Sequence, residues 1–241
     1  MKILLAPSEA KRVGGDREFR LENLFLPQIN WAREEILRAY EETIKEGNIK
    51  TLGALFGLKR EEDILEVVEE FKSKRVLEAV RRYSGVAFRA LDYDSLDKEA
   101  KGYIDRNLFI FSNLFGILRA RDLILYYKFK QVNPIIESEK IYKEALEILD
   151  ETFKDEEILD LRAKYYESFY RPAYSMNLKF LKGGKVVSHF AKFYRGLVAR
   201  ECAINNINSF EDLKSLEIPN LYIKEIIEKR KTIEIVYEIE E

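Results

Sequence analysis

The chain has 241 residues, of which 46% are hydrophobic and 35% charged, with a formal net charge of −2; that composition fills a globular core and leaves a solvated surface. One cysteine, Cys202, excludes an internal disulfide, and one histidine, His189, excludes a metal site built from several His or Cys and leaves any histidine relay only that residue. No apolar run nears the roughly 18 residues of a membrane helix, and Met1 to Pro7 is too short an apolar stretch for a secretory leader, so a soluble, cytoplasmic protein without membrane contact is expected.

In chain order, residues 2–6 read as a buried strand and Pro7 to Gly15 as a loop. Helical patterns cover about 29–46, 60–82 and 95–115, with Tyr83 to Phe88 as a short strand between the last two. A helix over about 138–153 precedes a strand at Ile158 to Leu161. A hairpin follows, Asn177 to Leu181 and Val186 to Phe190 around Gly183-Gly184. Helices over about 191–206 and 210–216 come next, the second opened by Ser209 and Asp212 as a capping box. Thr232 to Ile239 alternates like a one-sided strand. Interspersed strands and helices predict an α/β fold, a mixed sheet flanked by helices in one compact domain over 1–241.

Charge is unevenly distributed. Ser168 to Arg200 holds no Asp or Glu, where the chain average gives about six, and it carries Arg171, Lys179, Lys182, Lys185, Lys192, Arg195 and Arg200. A second basic stretch, Asn113 to Ile136, contains Arg119, Arg121, Lys128 and Lys130 against Asp122 alone, and the intervening Glu137 to Asp160 is acidic. On a helical wheel Phe190, Phe193, Leu197 and Ile204 share one face. Lys192 lies opposite, in a row with Gly196, Ala199 and Ala203, as tight helix packing or an anion site with cations on its rim requires. Tyr165, Tyr166, Tyr170 and Tyr174 stand among Arg162, Lys164 and Arg171, where aromatics either stack on bases or pack the core.

The loop Ala6 to Gly15 leaves the first strand at its carboxyl end, where α/β sheets place ligands. Backbone amides, the Ser8 hydroxyl and Lys11 are a set able to hold a phosphate or carboxylate, although the Walker spacing is missing. Leu114-Phe115-Gly116-Ile117-Leu118-Arg119 reads as a helix capped by Gly116 and then a turn. It also resembles the turn of a helix-hairpin-helix module, which offers amides to nucleic-acid phosphates; Leu118 replaces the second glycine usual there, and Asn205 to Leu216 is a weaker candidate for the same element.

Four segments in this order resemble the YaaA family of peroxide stress proteins: Leu4 to Gly15, Tyr83 to Leu91, Leu114 to Ile124 running to Tyr127-Lys128, and Ser188 to Arg200. The chain departs from the family pattern at Ala10 (usually Thr), Tyr126 (often Pro), Lys128 (Arg), His189 (an aromatic) and Tyr194 (Ala). The resemblance implies a compact α/β fold with a helix-hairpin-helix-like element, binding of double-stranded DNA in the cytoplasm, and a role in limiting iron-dependent damage under hydrogen peroxide.

The expected function is therefore a DNA-associated stress protein whose phosphate contacts are drawn from Ser8, Lys11, Gly116, Arg119, Lys128, Lys192, Arg195 and Arg200. The rival is an enzyme for a phosphorylated or carboxylated small molecule, with Lys11 or Lys192 as base or nucleophile. A closed pocket gathering these side chains favours the enzyme, and an open basic groove favours DNA. No cofactor or metal is implied, a carboxylate iron site in the acidic stretch is disfavoured against a solvated face, and a monomer is expected.

Overall fold

The computed structural model describes residues 1–240, with the side chain of His189 outside that description. The first apolar run forms β1 (Lys2–Leu5), and an open loop leads to the two-residue β2 (Arg17–Glu18). Three helices follow, α1 (Asn30–Glu46), α2 (Ile49–Phe56) and α3 (Glu61–Lys72). Next come β3 (Arg75–Glu78), the short helices α4 (Ala79–Arg82) and α5 (Val86–Leu91), and α6 (Lys98–Asn107). Then β4 (Leu108–Ser112), β5 (Gly116–Arg119) and β6 (Leu123–Leu125) run in quick succession. Helices α7 (Ser138–Lys143) and α8 (Leu146–Thr152) lead to β7 (Ile158–Asp160), β8 (Ser175–Lys182) and β9 (Lys185–Val186). The chain closes with α9 (Ser188–Ile204), α10 (Phe210–Lys214), β10 (Leu221–Glu228) and β11 (Thr232–Ile239).

The main sheet is mixed, in the order β10-β11-β8-β7-β1-β4-β5, with β9 beside β8; β2, β3 and β6 form a small second sheet. Strand β1 pairs in parallel with β4 on one side (Ile3 with Leu108) and with β7 on the other (Lys2 with Ile158). Ile3, Leu4 and Leu5 are at most 1% exposed because helices cover both faces of a parallel sheet. The chain leaves β1 for β4 on one side and later reaches β7 on the other, so β1 is the switch point of the sheet, and its carboxyl end opens onto a crevice.

Several expected boundaries move. The pattern over 60–82 is broken where Lys74 takes a left-handed φ of 55° and Val76 pairs with both Arg17 and Leu125. The helix expected to reach 115 stops at Asn107, because Leu108-Phe109-Ile110-Phe111 is buried on both faces as β4. Such a run carries no period-2 signal. Tyr83 to Phe88 is not a strand: only Tyr83 bridges to Lys11, and α5 starts after Gly85. The 138–153 helix is two short helices, and β10, an antiparallel partner of the closing strand, was not anticipated. The Gly183-Gly184 turn has the expected positive φ values, but helix α9 already begins at Ser188. The Ser209–Asp212 capping box is present.

At 114–119 the helix-hairpin-helix-like turn is a correction, whereas at Asn205 to Leu216 the helices α9 and α10 do follow one another across a short turn. Residues 108–119 form a β-hairpin, with Phe109 opposite Arg119 and Ser112 opposite Gly116. The turn amides of Leu114 and Phe115 donate to Ser112 Oγ at 3.1 and 3.0 Å, and Gly116 lies under the Tyr142 ring. Its carbonyls are held by the fully buried Arg33, which donates to Phe115 O and Ile117 O and, on the α1 side, to Phe25 O, Leu26 O and Asn30 Oδ1. Gly116 is thus a hairpin glycine at φ 65°, not a helix cap.

Candidate functional site

The crevice at the end of β1 is a cavity of about 360 Å³. Leu5 to Lys11 line it from the first loop, Asn113 from the end of β4, and Leu161 and Ala163 from just beyond β7. Gly85 to Phe88 around the start of α5, Tyr127, Phe129 and Gln131 after β6, Tyr166, and Lys192 and Arg195 of α9 complete the wall. Four residues singled out from sequence, Ser8, Lys11, Lys192 and Arg195, therefore meet in one place although they span most of the chain.

The first loop is pinned from behind. Arg12 N donates to Arg82 O at 2.8 Å and Ser84 N to Ala10 O at 3.0 Å, while the buried Arg82 guanidinium donates to Arg12 O and Gly14 O. Gly85 leaves room for Ser8, since a Cβ there would collide with the Ser8 hydroxyl. Lys11 folds back so that its Nζ donates to Ser8 O at 2.8 Å and lies 4.2 Å from the Tyr127 ring centroid and 5.3 Å from that of Tyr83. Burial, reinforced by the Lys128 charge and opposed by Glu9, lowers the Lys11 pKa to about 7. Behind the two rings the hydroxyls of Tyr83, Tyr127 and Ser112 form a buried chain with 2.8 Å links.

Helix α9 brings the other cations. Its row of small residues is a packing face: Ala199 and Ala203 are buried, and a side chain on Gly196 would run into the Ala87 carbonyl of α5. That close approach sets Arg195 into the cavity wall and Lys192 on its exposed rim. Among the described residues Arg195 has no hydrogen-bond or ion-pair partner. Burial lowers its pKa and the charge of Asp160 opposes this, but Asp160 is already held by Arg162 at 2.7 and 2.8 Å. A half-buried guanidinium facing a cavity without a protein acceptor is arranged to receive an anion.

The remaining predicted cations are not brought together with these. Lys128 donates to Glu9 O at 2.9 Å and acts on Lys11 from outside the cavity. Arg119 lies over the Phe25 ring in a different hollow, with Lys2 and Glu156. Arg200 holds the end of α5, donating to Leu91 O, Asp92 O and Ser95 Oγ. Tyr166 and Tyr170 are buried and Tyr165 half-buried, and Arg162 is spent on Asp160, Tyr166 O and Tyr170 O, so of that cluster only Tyr174 is exposed. Of the face shared by Phe190, Phe193, Leu197 and Ile204, Phe190, Phe193 and Ile204 are 43–50% exposed and Leu197 packs partly against the core, while the small-residue face packs on α5. The side chain of His189 lies outside the described residues.

Sequence reading missed Asn113, Tyr127 and Gln131 as site residues. Tyr127 stands at the end of the third family-like segment, and Asn113 and Gln131 had only their position after strands as a signal. No helix among the described residues is long and apolar enough to cross a membrane.

Comparison with known proteins agrees with the resemblance drawn from the four segments. The chain is 43% identical to an uncharacterized protein of Campylobacter jejuni, over 99% of both chains. It is 32% identical to a UPF0246 protein of Streptomyces coelicolor, over 83% of this chain and 82% of that one. It is 29% identical to a UPF0246 protein of Corynebacterium glutamicum, over 98% of this chain and all of the other. The family model described as peroxide stress protein YaaA matches residues 1–226, and on these matches the chain belongs to the peroxide stress protein YaaA family.

Proposed function

We propose that this protein serves the peroxide stress response by binding an anionic small molecule, phosphorylated or carboxylated, in the cavity at the end of β1. The observation that carries the reading is the Arg195 guanidinium, without a partner among the described residues, in the wall of a cavity that Ser8, Lys11 and Lys192 also line. Arg195 would take the anion and Lys192 would draw it to the mouth. Lys11, the more deeply placed of the two candidate bases, would accept a proton or attack an electrophilic carbon near neutral pH. The site follows the general habit of α/β sheets, with a ligand beyond the carboxyl ends of the strands at a switch point.

Calorimetric titration with inorganic phosphate tests the anion site. Arg195→Ala should weaken binding at least tenfold and Lys192→Ala by a smaller factor. Unchanged phosphate affinity in both variants would remove the reading. Turnover, if the site is catalytic, should be abolished by Lys11→Met with phosphate binding retained.

Association with duplex DNA in the cytoplasm is the second reading. It draws on Lys182, Lys185 and Lys192, which are exposed, and on the absence of carboxylates from Ser168 to Arg200. It no longer has the 114–119 turn as a source of free amides. Binding through such lysines should fall by about 10³ or more between 50 and 200 mM salt if several phosphates are neutralised. Duplex affinity that stays flat over that range would remove it.

A further inference from the structure

Asn113 lines the cavity and is 4% exposed, yet among the described residues its Oδ1 has no hydrogen-bond partner. Buried side-chain oxygens in folded proteins are nearly always paired, so an orphan that lines a cavity is an acceptor held for an occupant's donor. Gln131 lines the same cavity. Its Nε2 donates to the Tyr166 hydroxyl at 3.0 Å, and among the described residues its Oε1 accepts nothing. The same cavity is lined by four aromatic side chains, Phe88, Tyr127, Phe129 and Tyr166, each below 9% exposed.

These features ask more of a ligand than an anionic group. Phosphate or a small carboxylate would satisfy Arg195 and Lys192 but leave the Asn113 oxygen unpaired and the aromatic part of the cavity lining without a ligand contact. A bare sugar phosphate has hydroxyl donors but no flat apolar face for the rings. A base joined to a phosphate supplies all three: a planar heterocycle for the aromatics, N–H and ring-nitrogen groups for side-chain amides, and an anion for the cations. The volume, about 360 Å³, suits one such unit.

We propose that the cavity is a mononucleotide site. The base lies among Phe88, Tyr127, Phe129 and Tyr166, its exocyclic amino group donates to Asn113 Oδ1, and its phosphate points to Arg195 and Lys192. The proposal rests on the anion-site reading and adds the identity of the ligand. The nucleotide is either free or presented by a nucleic-acid strand as an unstacked residue, since the pocket chemistry is the same for both.

The test compares adenosine, cytidine and guanosine monophosphates with ribose 5-phosphate and inorganic phosphate by calorimetry on the full chain. At least one nucleotide should bind tenfold or more tightly than ribose 5-phosphate. Equal affinities would overturn the base site and leave the anion site standing; no binding of any of the five would remove both. Asn113→Leu should lower nucleotide affinity at least tenfold, leave phosphate affinity within twofold, and not lower the melting temperature, since no protein hydrogen bond to Oδ1 is lost. If that variant does not fold, Gln131→Ala replaces it, with a smaller loss confined to nucleotides. Nucleotide affinity unchanged in the folded variants would overturn the assignment of the base. A duplex with one bulged nucleotide distinguishes the source. Binding tighter than to its fully paired counterpart, and displaced by the mononucleotide, assigns the strand; binding of the mononucleotide without that preference assigns the free ligand.

Discussion

The Lys11 ammonium nitrogen lies 4.2 Å from the centre of the Tyr127 ring and donates to the carbonyl of its own neighbour Ser8. The ring face attracts the cation, but loss of water outweighs that attraction, and the pKa falls to about 7. Near neutral pH Lys11 should therefore carry a larger share of free amine than the surface lysines. Brief treatment with a low ratio of an amine-acylating reagent should modify Lys11 before other lysines, as read by peptide mass spectrometry, unless a bound anion covers it. Modification spread evenly over the surface lysines would contradict the desolvated amine.

The same shift predicts a pH dependence of stability. The folded-state pKa lies below the unfolded value of 10.5, so between about pH 7 and 10.5 the unfolded chain binds the extra proton. Stability contributed by this group is lowest below pH 7 and rises through that window. Chemical denaturation of the parent and of Lys11→Met from pH 6 to 10 should show the parent gaining on the variant as pH rises. Parallel curves would contradict it.

Arg82 is fully buried and donates to the carbonyls of Arg12, Gly14, Arg75 and Ile124. It ties the first loop to β3 and β6. Its pKa is lowered by burial only to about 10, so it stays charged at neutral pH. Arg82→Met leaves those acceptors unpaired and should cost about 3 kcal/mol or more, read from the urea midpoint. Arg119→Ala, on an exposed side chain, should cost under about 1 kcal/mol.

Gly196→Ala should push α9 off α5, because the new methyl meets the Ala87 carbonyl. A loss of about 1–3 kcal/mol is expected, with phosphate binding weakened through the displaced Arg195. Gly85→Ala, which collides with the Ser8 hydroxyl at the cavity wall, should weaken phosphate binding with a smaller change in stability.

Cys202 is 0% exposed, and burial pushes its thiol pKa up. Membership of a peroxide stress family invites the idea of a thiol sensor, and the structure argues against it, since peroxide attack needs an accessible thiolate. Native protein should resist both a thiol reagent and hydrogen peroxide at Cys202, and react stoichiometrically once unfolded in urea.

The sequence by itself determined the fold class, the helices with clear 3.6-residue periods, the Gly183-Gly184 turn and the Ser209 cap, because each is settled by interactions within a few residues. It determined the family too, through four ordered motifs. Tertiary structure decided the rest. Leu108 to Phe111 is apolar on both sides, and only its place beside β1 makes it a strand rather than the end of a helix. Gly116 is compatible with a helix cap or a hairpin, and Arg33 and Tyr142, remote in sequence, select the hairpin. Of the eight predicted anion-binding residues, Ser8, Lys11, Lys192 and Arg195 converge, because strand order places the first loop against α9. Charge can be counted along a chain, but whether a cation faces a ligand or a carbonyl depends on partners that only folding supplies.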